Sequence, residues 1–223
     1  MQIFSWDFGK LAILVDTLKE NNLTIPFFYG ITDRLNFPSL SAFEYLYYTF
    51  RTRASIIQLR EKDLPKHDLL SLVRKGVSEA RKTRKLFFIN SEINLALEND
   101  ADGVHLNSNQ TVEKALEIRQ KSHREDFFIG KSVHSLSEAL LAESQGVDYV
   151  LLSPIFQPIS KPSQFSELGV FGLRRAIKML NIPIIALGGF DDLIASEVFA
   201  TGVLAVAGIS WLRCEVAQQQ AEE

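Results

Sequence analysis

The sequence predicts an α/β fold, a (β/α)8 TIM barrel formed as a single domain with an N-terminal helical extension. Short runs of β-branched and aromatic residues recur without polar alternation, which is typical of parallel strands buried on both faces. Segments with helical periodicity separate most of these runs, as in repeated βα units. Eight such strands exceed the roughly five or six of a usual open doubly wound sheet, and 223 residues suffice for one barrel.

The first 24 residues precede the first predicted strand and carry apolar side chains at roughly helical spacing. This pattern predicts an amphipathic helix that covers one end of the barrel, and a partner or membrane surface is the alternative. No linker or shift in composition divides the rest of the chain. We therefore expect an extension at 1–24, a barrel domain at 25–216 and a C-terminal tail at 217–223.

Each predicted strand is a short apolar run that ends at a turn signal or at a polar residue. In chain order these are Pro26–Thr32, Ser55–Leu59, Leu86–Ile89, Gly103–Leu106, Phe127–Gly130, Asp148–Leu152, Pro183–Leu187 and Val203–Val206.

The predicted helices between the strands have apolar stripes at a spacing of three and four residues. They lie near 39–50, 66–81, 93–97, 111–121, after 135, and near 169–180, 191–200 and 209–216. Ser39 or Ser41 would cap the first, and Ser135 with Glu138 has the spacing of a capping box. The loop at 153–167 is the longest in the core, and loops of this length are often lids or binding loops.

Composition excludes several classes of function. A formal net charge of -3 gives no reason to expect nucleic acid or an anionic membrane as a partner. No apolar stretch reaches the roughly 18 residues of a membrane span, and residues 1–7 do not resemble a secretory signal. Cys214 is the only cysteine, which excludes an internal disulfide. We expect a cytoplasmic protein.

Two cations follow the second predicted strand, Arg60 and Lys62, with Gln58 nearby on the same side by alternation. Arginine as a planar fork and lysine as a point charge suit the oxygens of a phosphate or pyrophosphate. The alternative is a pair of surface salt bridges with the neighbouring acidic residues. Lys161, in the long loop, is placed to close over a bound anion or to remain solvated.

Small residues follow the last two predicted strands, Gly188-Gly189 and Ala207-Gly208. Barrels frequently hold a phosphate at these two positions, where backbone amides and helix N-termini approach the anion. Tight turns without a ligand are the alternative. Among the histidines, His105 is expected to be a hydrogen-bonded core residue, and His134 to pack at a helix start or to face the site.

Several motifs fall in one order over residues 27–210. They are Gln58–Lys62, Asn90, Asp102–Leu106, Gly130–His134, Pro154–Phe156 with Lys161, and Gly188–Gly189. This series resembles the thiamine phosphate synthase family and its TenI-type relatives. The resemblance implies a transferase that couples hydroxymethylpyrimidine diphosphate to thiazole phosphate and releases pyrophosphate. Small phosphorylated heterocycles would be its partners, and the sequence leaves a homo-oligomer open.

The resemblance also implies roles for individual residues. Arg60, Lys62, Ser132 and Lys161 would be catalytic, and the last two would contact the departing pyrophosphate. Together with the two strand-two cations, Gln58 and Asn90 would hold the diphosphate and the pyrimidine, and Ser160 would replace a loop threonine. The backbone of Gly188, Gly189, Ala207 and Gly208 would hold the thiazole phosphate.

The chain departs from the family at the implied cofactor, Mg2+, which two aspartates ordinarily hold. Their positions are taken here by Ser91 and Gln110, neutral groups that would bind a hard cation more weakly. Pro158 replaces a further loop threonine, and Pro154 stands where TenI-type tautomerases place a histidine.

Three functions remain open at this point. The first is the synthase-type transferase, which the retained cations favour. The second is a catalytically reduced relative that binds thiazole phosphate or thiamine phosphate, which the missing carboxylates favour. The third is a thiazole tautomerase that uses another base.

Overall fold

Eight parallel strands close into a barrel in the computed structural model, which describes residues 27–158, 164–190 and 192–221. The strands, β1 to β8, are Phe27–Ile31, Ala54–Leu59, Leu86–Asn90, Gly103–Leu106, Phe128–Val133, Tyr149–Leu152, Ile184–Leu187 and Ala205–Gly208. They pair in chain order, and β8 pairs with β1, so the sheet has no open edge. The predicted fold class is confirmed.

A helix follows every strand in the described part of the chain. The helices, α1 to α8, are Ala42–Thr49, Lys66–Thr83, Ile93–Glu98, Val112–Ser122, Leu136–Ser144, Gly169–Met179, Asp192–Phe199 and Ser210–Ala221. Ser41, one of the two predicted caps, forms a reciprocal capping box with Glu44. Ser135 caps α5, but the carboxylate of Glu138 accepts a hydrogen bond from the amide of His134 rather than from that of Ser135. No helix in these ranges is long and apolar enough to cross a bilayer.

The fifth strand is longer than predicted. The prediction ended it at Gly130 because Lys131 and Ser132 interrupt the apolar run, yet the strand continues to Val133. Both polar side chains have partners elsewhere in the barrel. The Ser132 hydroxyl lies 2.8 Å from a histidine nitrogen of β4, and the Lys131 ammonium donates to carbonyls of the loop after β4. Strand pairing therefore continues through residues that are polar but satisfied.

The eighth strand begins and ends two residues later than predicted. Its observed range is Ala205–Gly208, so Ala207 and Gly208, which were predicted to follow the strand, are its last two residues. The pairing with β1 sets this register, because Ala207 lies opposite Tyr29 and Gly208 opposite Gly30. The prediction missed this because an apolar run has no internal mark of its register.

The last helix is also longer than predicted. It reaches Ala221, so residues 217–221 of the predicted tail are helical, in keeping with the favourable helix propensity of alanine and glutamine. The predicted extension at 1–24 lies outside the described residues.

The barrel has two apolar cores, one inside the cylinder and one between the sheet and the helices. Alternation along the strands separates them. The inner core consists of Phe27, Tyr29, Ile31, Ile56, Leu86, Phe88, Phe128, Tyr149, Leu151, Ile185, Ala205 and Ala207. The inner core includes two tyrosine hydroxyls, so the cylinder is not purely apolar.

Two aspartates hold the amino-terminal end of the barrel together. Asp148 stands directly before β6, and its Oδ2 accepts hydrogen bonds from Arg119 at 2.5 Å and from the Ile129 amide of β5 at 2.7 Å. Asp102 stands before β4 and accepts from the Phe87 amide of β3 at 2.8 Å. Each carboxylate thus fixes a strand to the one before it.

Replacing Asp148 with asparagine should lower the free energy of unfolding by about 3 kcal/mol, since it leaves Arg119 without its buried counter-charge. Asp126→Asn is the matched control, because this carboxylate also pairs with an arginine but is 70% exposed. It should cost about 0.5 kcal/mol or less. Urea unfolding of both variants checks this, and equal losses would contradict the structural role given to Asp148.

Candidate functional site

The predicted site residues gather at one rim of the barrel, because all eight parallel strands end there. Those at or just beyond strand ends are Gln58, Arg60, Lys62, Asn90, Ser91, Ser132, Gly188, Gly189, Ala207 and Gly208. Gln110 lies in the loop after β4. Ser160 and Lys161 lie outside the described residues. In a TIM barrel this rim is the ordinary location of the active site.

Hydrogen bonds link polar side chains across the lumen just below the rim. Gln58, which is buried, donates from Nε2 to Asn90 Oδ1 at 3.0 Å. Its Oε1 accepts from the hydroxyl of Tyr29 at 3.1 Å. Because the Tyr29 proton is used there, Tyr29 can only accept from the hydroxyl of Tyr149, which is 3.1 Å away.

The same chain of hydrogen bonds determines the state of His105. The Tyr149 proton is engaged, so its oxygen accepts from His105 Nδ1 at 3.1 Å. His105 is therefore the Nδ1–H tautomer, and its Nε2 accepts from the Ser132 hydroxyl at 2.8 Å. Burial, aided by the charges of Lys131 and Arg60, lowers the pKa of His105 to about 3. His105 is thus a neutral, hydrogen-bonded core residue, as the sequence predicted.

Arg60 comes directly after β2 and is half-buried at the rim. Its amide donates to Thr32 Oγ1 at 2.9 Å, which fixes the backbone. The guanidinium has no hydrogen-bond or ion-pair partner among the described residues. Its positive charge contributes to the lowered pKa of His105. Lys62, two residues on, is exposed in the following turn.

The carboxylates next to Arg60 in the sequence interact with another arginine, Arg34. Glu61 is buried and accepts from the backbone amide of Arg34 at 3.3 Å. The guanidinium of Arg34 also pairs with Asp63 and lies 3.7 Å from Glu61. The alternative of an Arg60–Glu61 surface pair is therefore wrong. The positive charge of Arg60 is not neutralised by Glu61.

Gly188 and Gly189 follow β7 and have positive φ values of 118° and 67°. A Cβ on Gly189 would lie 2.5 Å from the carbonyl oxygen of Gln157, so only glycine fits there without a shift of the backbone. Neither glycine amide donates a hydrogen bond within the described ranges. Two unused backbone donors before the N-terminus of α7 suit an anion.

At the end of β8, Gly208 is covered by an indole ring. A Cβ at this position would lie 2.3 Å from the ring of Trp211, so the close contact requires glycine. Ala207 belongs to the inner core and is fully buried. Any phosphate contact here would come from the backbone at the strand end.

His134 anchors the long loop after β6. Its Nδ1 lies 2.9 Å from the Ser153 carbonyl oxygen, and its ring stacks on Phe165 with centroids 3.8 Å apart. Its side chain therefore packs against this loop, which is neither the helix-start packing nor the position facing the site that the sequence left open.

Sequence reasoning missed Tyr29 and Tyr149 as members of the site. Both occupy inward-facing positions of their strands, and a polar atom on an inward-facing aromatic residue was the available signal. No local pattern indicates that the two hydroxyls meet, because residues 120 positions apart make that contact.

The residues at the family's metal positions do not fit Mg2+. Ser91 and Gln110 are close together, since Gln110 Nε2 donates to the Ser91 carbonyl oxygen at 3.0 Å. Neither carries a charge, and the part of the chain that the structure describes contains no group of three or more His, Cys, Asp or Glu side chains able to hold a metal. Magnesium prefers carboxylates and keeps its own water ligands.

Comparison with known proteins identifies relatives over most of the chain. The family model described as thiamine monophosphate synthase matches residues 28–212. A putative thiamine-phosphate synthase 2 of Aquifex aeolicus is 33% identical over 84% of this chain and 98% of its own length. A thiamine-phosphate synthase of Pyrococcus furiosus is 34% identical over 82% of this chain and 84% of its own length.

A solved structure gives the same result. The thiamine phosphate pyrophosphorylase of Pyrococcus furiosus superposes with a TM-score of 0.71 at 31% identity, covering 87% of this chain and 96% of that one. An N-acetylmannosamine-6-phosphate 2-epimerase of Clostridium perfringens, at 12% identity and a TM-score of 0.63, shares the fold alone.

His105 should remain neutral, with its proton on Nδ1, when the pH is lowered from 7.5 to 5. Its pKa in the fold, about 3, lies below the usual histidine value of about 6.5. As the pH falls, the unfolded chain therefore protonates this histidine before the folded chain does. The contribution of neutral His105 to the free energy of unfolding is lost as the pH falls from about 6.5 towards 3. Nitrogen-15 NMR of the imidazole rings, assigned with His105→Gln, measures both features. An imidazolium signal at pH 5, or an Nε2–H tautomer, would contradict the assigned chain of hydrogen bonds.

Proposed function

This chain belongs to the thiamine monophosphate synthase family, and we propose that it couples hydroxymethylpyrimidine diphosphate to thiazole phosphate. The bond between the pyrimidine methylene and the diphosphate oxygen breaks, and pyrophosphate leaves with the electron pair. The thiazole nitrogen then donates its lone pair to the methylene cation, which forms the new C–N bond. The products are thiamine phosphate and pyrophosphate.

The observation that carries this proposal is the Arg60 guanidinium, which lies at the rim without a hydrogen-bond or ion-pair partner among the described residues. A leaving pyrophosphate develops negative charge, and a positioned cation stabilises that charge in the transition state. Lys62 follows on the next turn and adds positive charge to the same strand end. Ser132 and Lys161 are assigned to the same group by family resemblance.

The reaction needs no general base, and the site suits this requirement. The thiazole nitrogen attacks with its own lone pair, so no proton has to be removed from it. His105 has a pKa of about 3 and hydrogen bonds on both ring nitrogens, which makes it unsuitable for proton transfer near neutral pH. We assign it to positioning Ser132.

The second substrate would bind at the ends of β7 and β8, which β1 separates from β2. The amides of Gly188 and Gly189 are unused donors within the described ranges, and they precede the N-terminus of α7. The backbone end of β8 lies beside them, since Leu187 pairs with Ala207. We assign the phosphate of the thiazole to these amides, so that binding aligns the two substrates.

A second candidate is a relative that binds thiazole phosphate or thiamine phosphate without coupling. The neutral residues Ser91 and Gln110 favour it, because the family's carboxylates are replaced at both positions. It would retain the glycine amides but make no use of Arg60. The Arg60 guanidinium, left available at the rim, is the reason for placing coupling first.

Arg60→Gln should lower the rate of thiamine phosphate formation by about 10²–10³-fold, because the variant loses a charge aimed at the leaving group. Arg74→Gln is the matched control, since Arg74 is an exposed arginine on α2 that contacts Asn99. It should leave the rate unchanged. Purified protein is given both substrates, and thiamine phosphate and pyrophosphate are quantified together.

Equimolar formation of the two products by the unaltered chain supports coupling. Binding of thiazole phosphate without turnover, measured by calorimetry, would replace coupling with the binding function. Interconversion of thiazole tautomers in the same assay would favour the isomerase instead.

A further inference from the structure

The serine at the first metal position has no oxygen lone pair left for a cation. Ser91 Oγ accepts from Asn90 Nδ2 at 3.0 Å and from Asn107 Nδ2 at 3.2 Å. A hydroxyl oxygen accepts at most two hydrogen bonds. The Ser91 carbonyl already accepts from the side chain of Gln110.

The amide oxygens around this serine each accept a hydrogen bond as well. Gln110 Oε1 accepts from the Asn107 amide at 3.0 Å, and Asn107 Oδ1 accepts from the Asn109 amide at 3.0 Å. Asn90 Oδ1 accepts from Gln58. Each of these three amide oxygens is neutral and already accepts one hydrogen bond.

A lysine ammonium binds three backbone carbonyl oxygens of the loop after β4. Lys131 Nζ donates to the backbone carbonyl oxygens of Asn107, Ser108 and Gln110 at 3.3, 3.2 and 2.5 Å. An ammonium has three protons, so this geometry uses all of them. The loop after β4 thus already holds a cation, whose charge also repels a divalent ion.

We infer that hydrogen bonds close the family's metal position in this chain, and that it holds a diphosphate without a protein-bound divalent cation. The identity of the diphosphate rests on the proposed function, whereas the closed position does not. To coordinate Mg2+, Ser91 Oγ would have to give up one of its two hydrogen bonds, and the oxygens around it would offer only neutral ligands. The anion would instead be held by the guanidinium of Arg60 at the end of β2.

The test measures Mn2+, a paramagnetic substitute for Mg2+ with the same preference for oxygen ligands. Adding the unaltered chain should leave the electron paramagnetic resonance signal of free Mn2+ unchanged. Ser91→Asp with Gln110→Asp should remove free Mn2+, because it restores two carboxylates. Aspartate is also tolerated at the positive φ of 67° that residue 91 adopts.

The matched control is Ser108→Asp with Asn109→Asp, which adds the same charge to exposed side chains of the loop that contains Gln110. It should bind Mn2+ about tenfold more weakly than the first double variant. Circular dichroism establishes that both variants fold. Depletion of free Mn2+ by the unaltered chain would overturn the inference, whether or not either variant folds.

Calorimetry with pyrophosphate separates this inference from the proposed function. Pyrophosphate should bind the unaltered chain in EDTA, and Arg60→Gln should weaken that binding by about tenfold. Binding that appears only with Mg2+ would overturn the inference. Failure to bind in both buffers would overturn the proposed function, and the Mn2+ titration would then decide the inference by itself.

Discussion

Buried polar groups need hydrogen-bond partners, and the interior of this barrel meets that requirement with one continuous chain of donors and acceptors. It runs from Ser132 on β5 through His105, Tyr149 and Tyr29 to Gln58 on β2, and on to the metal position. The direction of each hydrogen bond determines which atom donates in the neighbouring hydrogen bond. The positions of the site residues and the tautomer of the histidine therefore depend on the whole chain rather than on any one contact, whereas burial keeps the histidine neutral.

The architecture could be predicted from sequence because burial on both faces leaves a local signature in every strand. Strand ends were less predictable where polar residues continue a strand, as at Lys131, or where an apolar run conceals its register, as before Gly208. The rim residues were predicted by their place after strands. The contacts among them join residues far apart in the chain, so local patterns did not reveal the two tyrosines or the donors around Ser91.

The rim carries two kinds of group that can bind an anion. On one side Arg60 offers a full charge, whereas on the other the amides of Gly188 and Gly189 offer only partial charges. A diphosphate carries more charge than a phosphate monoester, so the two ends suit different anions. In the proposed reaction, this difference in charge would place the diphosphate and the phosphate monoester at different ends of the site.

The aspartates before β4 and β6 lie at the end of the cylinder remote from this chemistry. Their hydrogen bonds to the Phe87 and Ile129 amides fix neighbouring strands to each other at that end. Changes among the loops at the opposite end can therefore accumulate without loosening the cylinder. The serine and the glutamine at the two metal positions that the resemblance implies lie in loops of this kind, away from the contacts that pair these strands.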